Sequence, residues 1–198
     1  MNPPNNTIHK VSFRSQNTRR NFGGATSKKR GEANFLGAFE RAYFSKIKKA
    51  GIAAGEFSVS GYGIADLAWI AWTPNQSEEF TALALHHELR RRQLHTFEAK
   101  LTDWRRALKQ AFRYRYFSDK AIVVMPFENA KLAIASLDSF KHLSVGLWSF
   151  DQKRGRIQEH YTPTKVSAFN PEAKEKAVSM ISSKVNLRKL REKLNSVL

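Results

Sequence analysis

Along this chain, stretches with apolar residues every three or four positions give way to stretches where apolar residues alternate or run unbroken. From Glu32 onward, Phe35, Leu36, Phe39, Tyr43, Phe44 and Ile47 keep helical spacing, and Gly51, after Lys46, Lys48 and Lys49, supplies a stop. Strands are predicted over residues 56–60 and 64–72. Between them Gly61-Tyr62-Gly63 makes a tight turn, because two glycines permit positive φ. Residues 77–92 read as a polar helix ending in Arg90, Arg91 and Arg92. A third strand follows over 94–101 and a cation-rich helix over 104–117. Residues 121–125 are apolar throughout, as in a strand buried on both faces, and Pro126 closes it. Residues 128–140 predict a helix and 145–150 a fifth strand. After Pro171 the pattern is helical to the end, with a stripe of Val185, Leu187, Leu190 and Leu194. This order predicts an α/β fold, a mixed central β-sheet flanked by helices in a single domain.

Composition narrows the chemistry. The 198 residues are 41% hydrophobic, enough for one packed core. Lys and Arg number 34 against 17 Asp and Glu, a formal charge of +17 that favours a polyanionic partner such as nucleic acid. Cysteine is absent, which excludes disulfides, thiolate metal sites and a cysteine nucleophile. No apolar run is long enough for a membrane span or a signal peptide, so a cytoplasmic protein is the default expectation.

Residues 1–31 lack acids but carry Lys10, Arg14, Arg19, Arg20, Lys28, Lys29 and Arg30. They are expected to be a flexible basic arm, either lying along a phosphate backbone or simply solvated. Residues 32–170 then form the main domain and 171–198 a basic helical extension.

The candidate site lies in the second and third strands. Alternation puts Asp66 on the face of Ile64, Ala68, Ile70 and Trp72, where an unpaired charge is costly. Thr96, Glu98 and Lys100 likewise share a face. If the strands are neighbours, Asp66 and Glu98 converge with Lys100 beside them. Two carboxylates and a backbone carbonyl make a hard oxygen site suited to Mg²⁺, with Mn²⁺ as the substitute. The acid-x-Lys tripeptide recurs at Asp151-x-Lys153 and Glu172-x-Lys174, so context alone distinguishes Glu98-Ala99-Lys100. A structural salt bridge is the competing reading.

Gly63-Ile64-Ala65-Asp66, Phe97-Glu98-Ala99-Lys100 and the helix from Asp103 to Tyr114 together resemble the PD-(D/E)XK, or restriction-endonuclease-like, nuclease superfamily. The likeness covers roughly residues 32–150, with Ala65 in place of the family's proline and an inserted helix at 77–92. It implies an αβββαβ core, metal-dependent hydrolysis of DNA, and catalytic roles for Asp66, Glu98 and Lys100. It further implies a third metal-site acid on the first helix, for which Glu40 is the candidate; a salt bridge is the alternative. Gln110 and Tyr114, one helical turn apart, resemble the Gln and Tyr that follow the lysine in the exonuclease-type branch, although Tyr114 would serve equally in packing.

Arg105, Lys109 and Arg113 form an i, i+4, i+8 row that, with Arg106 and Arg115, offers charge to phosphates or makes a solvated face. DNA is the expected partner, with RNA open, and the Leu187, Leu190, Leu194 stripe allows a homodimer. His86-His87-Glu88 lacks the second histidine of the metalloprotease pattern, and Trp69, Trp72 and Trp148 read as packing. The rival functions are a non-catalytic nucleic-acid-binding protein on the same scaffold and a basic protein that docks acidic partners.

Overall fold

A computed structural model of the chain describes residues 8–13, 27–47, 49–72, 81–164 and 167–195. Its seven-stranded mixed sheet follows chain order: β1 (Ile8–Ser12), β2 (Gly51–Val59), β3 (Gly63–Ala71), β4 (Leu94–Ala99), β5 (Lys120–Pro126), β6 (Gly146–Asp151) and β7 (Arg156–Tyr161). β3 runs antiparallel to β2 and β4, and β7 antiparallel to β6. The pairs β1–β2, β4–β5 and β5–β6 are parallel. Parallel neighbours need crossovers, and helices supply them.

α1 (Ser27–Lys46) makes the first crossover. Its Phe35, Phe39 and Tyr43 pack on Leu67, Trp69, Phe97, Val124 and Trp148, forming one core layer. The opposite face carries α2 (Ala82–Arg90), α3 (Trp104–Tyr114), α5 (Leu137–His142), α6 (Pro171–Ser183) and α7 (Leu187–Asn195). On α3 the residues Trp104, Ala107, Leu108, Ala111 and Tyr114 are buried, and Asp103 caps its start by accepting the Arg106 N–H at 3.0 Å. Residues 121–125 are buried on both faces, as predicted. Trp69, Trp72 and Trp148 are core residues.

Several expectations need correction. Residues 8–12 of the expected arm form β1, because alternation buries His9 and Val11 against the sheet while Lys10 and Ser12 face outward. Residues 1–7 and 14–26 lie outside the described residues. The helix predicted over 128–140 is broken: a 3₁₀ turn leads into α4 (Lys131–Ala135), and Ser136 separates it from α5. The 171–198 segment is no appendage, since α6 buries Ala173, Ala177, Val178 and Ile181 in the main core. The stripe proposed for a dimer serves the same core, where Val185 and Leu190 are buried and Leu187 packs beside them. The side chain of Leu194 lies outside the described residues. Among the described residues, no helix is long and apolar enough to cross a membrane.

Candidate active site

The site forms where β3 and β4 part. Their ladder ends at the pair Leu67–Phe97, so Asp66 and Glu98 stand one residue beyond it on neighbouring strands. There the Asp66 carboxylate does what a ladder carbonyl does further along, its Oδ2 accepting the Ala99 N–H at 2.7 Å. On the other side of β3 the register with β2 passes from Gly55–Leu67 to Phe57–Ala65 and skips Glu56 and Asp66. Glu56 holds φ at +49°, a left-handed backbone that costs a non-glycine residue energy. The irregularity therefore falls at the candidate catalytic aspartate.

Glu98 is 1% exposed, which for a carboxyl demands compensation. Tyr114 provides part of it. The Tyr114 hydroxyl lies 2.7 Å from Glu98 Oε2 and 2.5 Å from the Ile64 carbonyl oxygen. A hydroxyl has one proton and the Ile64 carbonyl can only accept. The Tyr114 O–H therefore divides its single proton between two acceptors, the Glu98 carboxylate and the Ile64 carbonyl. Burial, followed by the charge of Asp66, pushes the Glu98 carboxyl up to about 7, against the pull of Tyr114 and Lys100. Burial likewise raises Asp66 to about 6, opposed by the Ala99 N–H and Lys100, with Glu32 and Glu56 adding to the rise. Two carboxyls crowded into one dry site repel each other, and a cation relieves that repulsion.

Lys100 falls one residue past the end of β4, where its N–H donates to the Val124 carbonyl at 3.0 Å and ties it to β5. Its Nζ is 3.5 Å from Glu98 Oε1 and 3.8 Å from Glu32 Oε2. The sequence pointed to Glu40 as the first-helix acid, but the α1 carboxylate that lies beside Lys100 is Glu32. Glu40 instead pairs with Lys10 of β1. The reason is geometric, since eight residues of helix carry Glu40 about 12 Å along the axis from Glu32. Among the described residues no three His, Asp or Glu side chains converge as a metal-binding group. The two acids that do lie side by side, Asp66 and Glu98, are the candidate donors. That set fits Mg²⁺, which commonly takes one or two carboxylates and fills the remaining positions with water and phosphate.

Gln110 sits one turn before Tyr114, with its Oε1 buried and lacking a hydrogen-bond partner among the described residues. Arg105, Arg106, Lys109 and Arg113 are exposed on the outer face of α3. None of them pairs with a carboxylate of the described residues. Arg115 does not belong with them. It is 1% exposed, and its guanidinium donates to the carbonyls of Ser118, Asp119 and Ser167, which makes it a structural staple.

The rival acid-x-Lys tripeptides have local duties. Asp151 accepts the N–H groups of Lys153 and Arg154 at 3.0 Å in a turn, and Lys174 pairs with buried Asp119 at 2.8 Å. His86 bonds Glu175 at 2.8 Å and helps join α2 to α6. Comparison of the chain with family models, with curated proteins and with solved structures finds no match.

Proposed function

We propose that this chain is a Mg²⁺-dependent nuclease of the restriction-endonuclease-like type, hydrolysing phosphodiester bonds in DNA. The observation that carries the reading is the meeting of Asp66 and Glu98 at the splayed ends of β3 and β4, with Lys100 Nζ 3.5 Å from Glu98. The run α1-β2-β3-α2-β4-α3-β5 supports it, being the αβββαβ order of elements that the resemblance implies with α2 inserted between β3 and β4.

In this reading Asp66 and Glu98 hold Mg²⁺ or Mn²⁺. When bound, the ion supplies Lewis-acid polarisation of a phosphoryl oxygen and a lowered water pKa. Lys100 orients the attacking water and offsets negative charge as it grows on the phosphate. Water oxygen bonds to phosphorus while the bond to the 3′-oxygen breaks. The products are a 5′-phosphate, which loses the water's proton to solvent, and a 3′-hydroxyl, which gains one. Tyr114 fixes the rotamer of Glu98, and Gln110 offers an acceptor to the water or the substrate. Arg105, Arg106, Lys109 and Arg113 hold backbone phosphates without reading sequence.

The test is a cleavage panel of linear, branched and single-stranded DNA in Mg²⁺ and in Mn²⁺, with the wild type and Lys100→Ala. Metal-dependent cutting that Lys100→Ala abolishes while DNA binding survives is the expected result. Binding of DNA with no cleavage of any substrate in either metal would replace this reading with the non-catalytic binding protein.

A further inference from the structure

Beside the C-terminal end of α3 lies a group of aromatic rings that the core does not absorb. Tyr62, in the β2–β3 turn, stacks on Tyr116 with centroids 5.3 Å apart and planes within 17°. Phe169 meets Tyr116 edge-on at 5.6 Å and Phe112 at 5.9 Å. Tyr62 and Phe112 are partly buried against the core below, whereas Tyr116 is 39% and Phe169 49% exposed.

These rings are held firmly. The Phe169 N–H donates to the Arg115 carbonyl at 2.9 Å and the Asn170 N–H to the Tyr116 carbonyl at 3.0 Å. The Arg115 guanidinium lies over the Phe169 ring, 4.7 Å from its centroid, a cation–π contact that helps hold it. A pre-ordered ring loses little entropy when a second flat group stacks on it.

Location and charge select the occupant. Tyr62 is four residues before Asp66, and Tyr116 is two residues after Tyr114, whose hydroxyl contacts Glu98. Arg113, last of the exposed cationic row, immediately precedes Tyr114. Partly exposed rings with exposed Arg113 close by in the chain, on a protein of charge +17, suit a ligand that combines flat bases with phosphates. Bases inside a duplex have no free face to offer, whereas unpaired bases do. Resting on the nuclease reading, we propose that Tyr116 and Phe169 form a stacking platform for unpaired nucleotides of the DNA substrate, making forked or single-stranded-ended DNA the preferred substrate class.

The test measures binding by the full-length protein in EDTA, so that no cleavage intervenes. The probes are a forked duplex with 2-aminopurine in its unpaired arms and a blunt duplex of the same paired sequence. The wild type should bind the fork more tightly and quench the 2-aminopurine. Tyr116→Ala and Phe169→Ala should each lower fork affinity about tenfold, the scale of base–aromatic stacking. Blunt-duplex affinity should stay unchanged, and Tyr116→Trp should restore the fork preference. Circular dichroism melts identify any variant that fails to fold, and Tyr116→Trp then decides alone by keeping or losing the quench. Equal losses on both DNAs, or no quenching by wild type, would overturn the platform, and tighter binding of a forked RNA would overturn its assignment to DNA. Lys100→Ala should bind the fork like wild type. A platform that passes while Lys100→Ala cleaves normally would remove the catalytic reading alone.

Discussion

The Tyr114 hydroxyl bridges the Glu98 carboxyl, at 2.7 Å, and the Ile64 carbonyl, at 2.5 Å, tying α3 to both strands of the candidate site. This single group sets the rotamer of a buried acid and satisfies a main-chain acceptor near the end of β3. Tyr114→Phe should cost about 1–2 kcal/mol of stability in urea unfolding, through the hydrogen bonds lost and the acceptors left in a dry site. Because the Tyr114 bond lowers the pKa of Glu98, its removal should raise that pKa further, read from the Glu98 carboxyl carbon by NMR titration.

The pH dependence of the metal-free protein follows from the same pair. Asp66 and Glu98 have folded-state pKa values of about 6 and about 7, above those of ordinary carboxyls. The folded state therefore binds protons more tightly than the unfolded one. The stability this confers is complete below about pH 4 and is lost as pH rises through 6 to 7. Partly buried His95, lowered to about 4 chiefly by desolvation, acts in the opposite sense, destabilising the fold as pH falls below about 6.5. Wild type alone thus gives a mixed profile. The difference between wild type and Glu98→Gln should isolate the carboxyl, changing by roughly 2 kcal/mol or more between pH 4 and pH 8. A flat difference would contradict the raised pKa.

Glu32 and Glu40 should separate cleanly. Glu32→Gln removes a carboxylate 3.8 Å from Lys100 Nζ and should change the pH profile of cleavage. Glu40→Gln removes a partner of half-exposed Lys10 and should leave cleavage untouched, at a stability cost of about 1 kcal/mol or less. Cleavage assays of both variants across pH read the difference directly.

Arg113 and Arg115, two residues apart, should behave oppositely. Arg113→Ala should weaken DNA binding and lower the slope of log affinity against log salt by about 0.7–0.9. Arg115→Ala leaves three main-chain carbonyls without their donor and should destabilise the fold by about 3 kcal/mol or more. Salt titrations and urea melts on both variants compare the two effects.

Asp66, Glu98 and Lys100 were legible in the sequence because strand alternation is local and makes a charge on an apolar face conspicuous. Glu32 was not, because periodicity identifies the buried stripe of a helix but not how far along the sheet each turn of it sits. β1 was hidden in a cationic segment, since only His9 and Val11 of its five residues are buried and its pairing with β2 spans some forty residues. β7 escaped for a similar reason: this edge strand has no fully buried residue, so its pattern Arg-Ile-Gln-Glu-His-Tyr carries little apolar alternation. Arg115 read as one more cation of α3, because nothing local to it shows that carbonyls from residues 118, 119 and 167 converge on its guanidinium.

The proposal that Asp66 and Glu98 share one divalent ion is tested most directly by isothermal titration of the full-length protein with Mn²⁺. Wild type should take up one ion per chain, and Asp66→Asn and Glu98→Gln should each lose that binding while remaining folded. Undiminished uptake in both folded variants would contradict a metal site at the ends of β3 and β4.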